Sequence, residues 1–370
     1  MTTRPSTGRR GARLPDDAPN PTHTTTHAPD RLEHAMTMPT SAPTPSSDPA
    51  ALRVALLGAG TVGASVARLL GERAELLAAR AGRPLELAGV AVRDTGRVRD
   101  GVDPALLTDD VEGLVERADL VVEVMGGLEP ARGLIERALR RGVPVVTANK
   151  QLIAQQGPQL QAVADEHGAG LHYEAAVMAA VPVMAVVGES LAGDEIASIS
   201  GIVNGSTNYV LDLVARKGVP FEEAVRQAGE LGYLEADPTE DLEGLDAAAK
   251  IVILARTAWD LPVSMEDVQR QGITGLTDAD FEQAAAHGSV IKLVASAWRS
   301  AAGGGDRVEV AVRPVALPQD DPLAQAREGT NVLIVEARSA GSLRLQGAGA
   351  GGDATASAVL GDIVRAARGR

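Results

Sequence analysis

A chain of 370 residues with 45% apolar content has room for about two packed domains, and at 2% aromatic its cores must be filled by Leu, Val and Ala. Its 35 basic and 49 acidic side chains leave a formal charge of −14, which argues against nucleic acid or an anionic membrane as a partner. There is no Cys for a disulfide, a thiol nucleophile or a zinc–thiolate centre; the six His show no metal-ligand spacing, and no apolar run reaches the roughly 18 residues of a membrane span, so a cytoplasmic protein is expected.

Residues 1–50 are rich in Pro, Thr, Ser and Arg and lack apolar periodicity, so the sequence predicts a disordered tail rather than an amphipathic transit peptide. From residue 51 the pattern is globular. A short apolar strand, Leu52 to Leu57, runs into Gly58-Ala-Gly60-Thr61-Val62-Gly63 and then into a helical stretch reaching about Arg80. Between a strand and a helix, this spacing reads as a dinucleotide-binding turn. Gly58 permits the tight turn, Gly60 lets a pyrophosphate approach the backbone, and Gly63 lets helix pack on strand; the helix N-terminus with Thr61 and Val62 then holds phosphate. A second strand, Leu85 to Val92, ends on Arg93 and Asp94. Arg93 either binds a 2′-phosphate, which favours NADP with NAD as the alternative, or is a surface residue. A third strand, Leu120 to Val124, ends in Met125-Gly126-Gly127, and a helix is predicted from about Glu129. A fourth, Val143 onward, ends on Lys150, at the strand end where open α/β sheets bind ligands.

The region from 151 to 345 is expected to form a second domain. Leu171-His-Tyr-Glu174 reads as a strand leading into small residues, and Ile199 to Val203 as another, followed by a helix to about Lys217 capped by Ser206 or Thr207. A helix from Phe221 to Leu231 follows, with Gly232 as its terminating residue. Further helices are predicted near 248–259 and 265–272, and strands at 307–315, bounded by Pro314 and Pro318, and 331–338. A glycine-rich turn, Gly347 to Gly352, precedes a last helix, and it either returns residues 346–370 to the nucleotide domain or serves as a linker.

The stretch Gly232 to Lys250 is the densest in chemistry, with six carboxylates and one lysine. Asp237-Pro238 reads as the cap and first residue of a helix, with Glu240 completing a capping box. Asp246 and Lys250, four apart, share a face of that helix. Only four of the 35 basic residues are lysine: Lys150, Lys217, Lys250 and Lys292. Arginine serves elsewhere as the plain positive charge, and lysine, unlike arginine, can release its proton when desolvated. Lys150 and Lys250 are therefore candidate proton carriers, Lys217 a helix-end charge, and Lys292 a surface residue.

In Thr147-Ala-Asn-Lys150, Asn204-Gly-Ser-Thr-Asn-Tyr209 and the 232–250 stretch, the chain resembles the homoserine dehydrogenases over about residues 52–368. The resemblance implies a Rossmann-type nucleotide-binding domain with a mixed α/β catalytic and dimerisation domain, a homodimer, and NAD(P)-dependent interconversion of L-homoserine and L-aspartate 4-semialdehyde on the route to threonine and methionine. It further implies that Lys250 donates the proton and that Lys150 lies near nicotinamide and substrate. Glu235 and Asp246 would hold the substrate with Asp241 in support, and Gly232 and Gly351 would touch the cofactor. Glu174, Val177, Ala179 and Val181 would bind a sodium ion. The chain departs from the family's usual glycines at Met178-Ala179-Ala180, and it matches a form without a C-terminal regulatory domain. Another Rossmann oxidoreductase of a small amino acid, or a non-catalytic NADP sensor, stays open from the residues alone; a sensor has no need of Glu235, Asp246 and Lys250 together.

Overall fold

The computed structural model describes residues 50–235, 237–300 and 307–369; the tail expected at 1–50 otherwise lies outside them. Two six-stranded sheets organise these residues. The first holds β1 (Leu52–Leu57), β2 (Leu85–Ala91), β3 (Leu107–Thr108), β4 (Leu120–Glu123), β5 (Val145–Thr147) and β6 (Leu171–His172), in the order β3-β2-β1-β4-β5-β6 with every pair parallel. Its central strands β1 and β4 are apolar apart from Arg53 and the buried Glu123, because helices cover both faces. These are α1 (Thr61–Glu72), α2 (Ala74–Ala81), α3 (Val111–Glu116), α4 (Ala131–Arg140) and α5 (Lys150–His167). The order reverses between β1 and β4, and the crevice at such a switch point is where a dinucleotide sits in this architecture.

After two short turns of helix, α6 (Ala175–Met178) and α7 (Val183–Ala185), the chain builds the second sheet from β7 (Ile196–Ile202), with α8 (Gly205–Lys217), α9 (Phe221–Glu230), α10 (Thr239–Leu242) and α11 (Leu245–Trp259) following it. Then come β8 (Val268–Arg270), α12 (Asp278–Ala286), β9 (Ser289–Ser300), β10 (Arg307–Pro318), β11 (Thr330–Ala337) and β12 (Gly341–Ala348). The order is β12-β11-β7-β9-β10-β8, antiparallel except where β8 joins β10. Helix α11, from Ala247 to Ala255 wholly buried, packs across β9 and β10 and is the core of this half. The last helix, α13 (Gly352–Ala367), returns to lie on α1 and on β4 and β5.

Several expectations give way to tertiary context. The strand read at Leu171 onward belongs to the first sheet, since its residues pair with β5. Asn204, not Ser206 or Thr207, caps α8, its side-chain oxygen accepting from Thr207 N at 2.8 Å. The helix expected from Pro238 is two, broken at Gly244 (φ +73), where a Cβ would press on Val312; Asp237 holds the entry through Thr239 N and Oγ1. Residues 268–270 are an edge strand rather than a helix. Pro314 does not bound β10 but lies within it, two residues past the stretch paired with β8, where its missing N–H forfeits no ladder bond. Most consequential is Lys292. It sits on β9, a strand the sequence reading did not find, and is 1% exposed.

Candidate functional site

Between the carboxyl end of the first sheet, the segments that follow β7 and β12 and the segment that leads into β11 lies a cleft of about 750 Å³. Lys150, Glu235, Asp241, Asp246 and Lys250 all line it, with Gly232, Gly351, Val177 and Ala179 on its rim and floor. Gly58, Gly60, Thr61, Val62, Gly63, Arg93, Glu174 and Val181 do not.

Asp246 is the centre. Its Oδ1 faces Lys150 Nζ at 3.1 Å and its Oδ2 faces Lys250 Nζ at 2.8 Å. Asn204 Nδ2 donates both to Asp246 Oδ2 (2.8 Å) and to Asp241 Oδ1 (2.6 Å), so one amide holds two acids apart from each other. Burial pushes the Asp246 carboxyl up, but the two ammonium groups outweigh it and bring it down to about 2. Burial likewise pushes Lys150 down, and Asp246 more than compensates, so Lys150 ends raised and keeps its proton. Asp241 is raised by burial, with Asn204 opposing. Lys250 also donates to Val203 O at 2.8 Å. An ammonium has three donors, so one N–H of Lys250 remains for whatever enters the cleft.

Lys150 opens α5, where a positive charge opposes the helix dipole. What keeps it there is a buried network. Glu123, fully buried at the end of β4, accepts from Met125 N, Gly126 N and Thr147 Oγ1 at 2.8, 3.1 and 2.6 Å. Asn149 donates to Gly127 O at 2.6 Å and caps α5 through Leu152 N. The Met125–Gly127 turn and the start of α5 are thus one unit, with both glycines at φ +74. On the other wall Tyr233 stacks on Tyr209, ring centroids 4.1 Å apart, which anchors the loop carrying Gly232 and Glu235 to α8. Glu235 is exposed, and its neighbour Ala236 lies outside the described residues.

The first sheet presents a place for the pyrophosphate. Gly58 holds φ +102; a Cβ on Gly63 would strike Gly58 O at 2.1 Å, whereas one on Gly60 would enter open space. No side chain caps α1, leaving its first amides for an anion. Arg93 is exposed just beyond the carboxyl end of β2.

Glu174 is buried, and its two oxygens accept from Met184 N (2.8 Å) and Ala185 N (2.9 Å) at the start of α7. Burial still leaves its carboxyl raised. Ala179 takes φ +49, a backbone conformation that favours glycine. Among the described residues no group of three or more acidic or His side chains is gathered for a metal.

Asn204, Glu123, Asn149 and Lys292 were not singled out as functional by reading the sequence. The signal for Glu123 was present: an acid inside Leu-Val-Val-Glu-Val must find partners if that strand is buried. The others become visible only when distant segments meet.

A family model described as homoserine dehydrogenase matches residues 182–364, and one described as the homoserine dehydrogenase NAD binding domain matches residues 58–174. The homoserine dehydrogenase of Corynebacterium glutamicum is 46% identical over 337 residues, 89% of this chain and 76% of the relative. That of Mycobacterium tuberculosis is 48% identical over 320 residues, 86% and 72% respectively. Among solved structures, a homoserine dehydrogenase from Thiobacillus denitrificans superposes with a TM-score of 0.80 at 36% identity, covering 86% of this chain and 74% of the other. A hyperthermophilic archaeal homoserine dehydrogenase in complex with NADPH gives 0.72 at 28%, covering 86% and 98%. The alternatives of a sensor or an unrelated oxidoreductase give way to these matches in both halves of the chain. It is therefore a member of the homoserine dehydrogenase family, an NAD(P)-dependent oxidoreductase interconverting L-homoserine and L-aspartate 4-semialdehyde.

Proposed function

We propose that Lys250 is the proton donor of this reaction and that Lys150 is a fixed positive charge beside it. The observation that carries this reading is Asp246 held between the two lysines at 3.1 and 2.8 Å on the wall of the cleft. The nicotinamide cofactor, when bound, supplies the hydride for the aldehyde carbon. Negative charge then grows on the aldehyde oxygen. The free N–H of Lys250 lies within the cleft to meet that oxygen and pass it a proton; Lys150, kept protonated by Asp246, lowers the energy of the same charge. In the reverse direction a neutral Lys250 takes the alcohol proton. Asp246 was expected as a substrate ligand, but Lys150, Lys250 and Asn204 engage its oxygens, so its first role is counter-ion to the pair. Glu235 is the better candidate for the substrate ammonium, with Asp241 in support.

For the cofactor we assign the pyrophosphate to Gly58, Gly60, Thr61, Val62 and Gly63, and the nicotinamide end to the neighbourhood of Gly232, Gly351 and Lys150. Arg93 favours NADP over NAD. The open space in front of Gly60 and the uncapped start of α1 support the fit. A sodium ion is compatible with Glu174 and the carbonyls of Val177, Ala179 and Val181, because the Glu174 carboxylate has lone pairs to spare after its two amide bonds and a cation would offset the burial that raises it. Such an ion would supply charge that steadies this loop. A homodimer, a cytoplasmic location and a place on the route to threonine and methionine rest on the family resemblance. The test of the central reading is the absorbance of reduced nicotinamide on adding homoserine with NADP, in wild type and in Lys250→Met: loss of turnover with retained NADP binding supports it, and turnover near wild type sinks it.

A further inference from the structure

Asn331, the second residue of β11, is 0% exposed, and its Oδ1 has no hydrogen-bond partner among the described residues. Its Nδ2 donates to Val203 O at 3.1 Å. Lys250 Nζ donates to the same carbonyl oxygen at 2.8 Å. Val203 stands at the hinge where β7 ends and α8 begins, and the next residue, Asn204, holds Asp241 and Asp246. One peptide unit therefore carries both the second acceptor of Lys250 and the side chain that orients its counter-ion. A carbonyl oxygen has two lone pairs, and here Lys250 and Asn331 each take up one.

We propose that Asn331 is a positioning residue for Lys250, fixing the Val203 carbonyl so that the lysine's remaining N–H points into the cleft. The inference rests on Lys250 as the proton donor. Two donors of a tetrahedral ammonium held by Asp246 and Val203 determine where the third one points. If the Val203–Asn204 peptide turns, both constraints move together.

Stability does not account for this amide. A buried acceptor without a partner lowers stability, and an apolar side chain of similar size would remove both that loss and the need for a donor. Gly349, on the cleft wall, closes over the group: a Cβ there would lie 2.4–2.5 Å from the Asn331 amide atoms. That close approach explains the burial and supplies a second handle on the amide.

The test measures kcat, both KM values and the urea midpoint of Asn331→Leu and Gly349→Ala. In Asn331→Leu, kcat should fall about tenfold or more, as for a displaced catalytic group, while KM for homoserine and for NADP stays within about threefold. The urea midpoint should stay or rise. A folded Asn331→Leu with kcat near wild type overturns the proposal, as does a fall in midpoint accompanied by raised KM values, which is the pattern of a structural role. Gly349→Ala pushes the amide aside without removing it and should also lose kcat; unchanged kcat there overturns the proposal even where Asn331→Leu does not fold. In a Lys250→Met background, Asn331→Leu should add no further loss, because the residues act as one unit. Full turnover by Lys250→Met alone would reject the proton-donor reading, whereas a dead Lys250→Met beside a fully active Asn331→Leu rejects only the role given to Asn331.

Discussion

Two lysine clusters invite comparison, one open to the cleft and one closed. In the open cluster Lys150 and Lys250 share Asp246, and Lys250 keeps a donor for the cleft. In the closed cluster Lys292 donates to Asn208 Oδ1 at 2.8 Å and Ala326 O at 2.7 Å, with Asp212 Oδ1 at 3.8 Å. Asn208 in turn donates to Glu328 O at 2.8 Å, and Asp212 accepts from Arg327 and from Glu328 N. Every partner of Lys292 is thus internal, and the cluster holds Glu328 at φ +51 on the cleft wall. The ingredients are alike: a lysine, an aspartate and an asparagine. What differs is a donor left unused and a wall open to substrate. The electrostatics diverge accordingly. Asp246 has two cations and keeps Lys150 raised, whereas burial lowers Lys292 to about 8 despite Asp212. A lowered lysine is a common mark of catalysis, yet here it belongs to the cluster with nothing to protonate.

The comparison breaks most sharply at Lys250. Lys250→Arg retains the charge and removes the readily titrated group, so steady-state assays should show kcat lower by about a hundredfold or more. Lys292→Met should instead keep kcat within about threefold, because no donor of Lys292 faces the cleft. A loss there as large as at Lys250 would erase the distinction.

The next largest effect is on stability at Asp246. Its folded carboxyl titrates near 2, below its unfolded value, so its contribution is present above about pH 4 and is lost as pH falls toward 2. Asp246→Asn should therefore unfold more easily in urea at pH 7, by on the order of 2 kcal/mol, with the gap closing at low pH. Lys292 carries the opposite sign. It binds its proton less tightly folded than unfolded, so the penalty is fully present below about pH 8 and is relieved as pH rises toward 10.5. The unfolding free energy of wild type from urea titration should climb relative to that of Lys292→Met over that interval, by at most about 1.4 kcal/mol per pH unit. Parallel curves would mean that Lys292 is not held charged against burial.

The smallest expected effect lies outside both clusters. Arg93→Ala should raise KM for NADP by about tenfold and leave KM for NAD unchanged, since NAD has no 2′-phosphate for a guanidinium to grip. Equal changes for the two cofactors would remove Arg93 from the site.

Local signals were strong where one segment performs the whole task. The turn from Gly58 to Gly63 and the Asp246–Lys250 spacing are each written in consecutive residues and appear as the sequence implies, whereas the helical run expected to about Arg80 is two helices meeting at Arg73, and the short β3 and α3 carried too little pattern to be read. Gly232 likewise ends α9 in the left-handed conformation expected of it. The pairing of Lys150 with Asp246 was not legible, because it joins residues from separate sheets' crossovers. Neither was the burial of Lys292, whose strand is covered by α8 from 80 residues upstream in rough terms. Lysine identity in the sequence marked which charges were replaceable in kind. Only the packing of β9, β11 and α11 around β7 decided which ammonium meets the cleft, because desolvation and the direction of a hydrogen bond depend on neighbours that the chain brings together only when it folds.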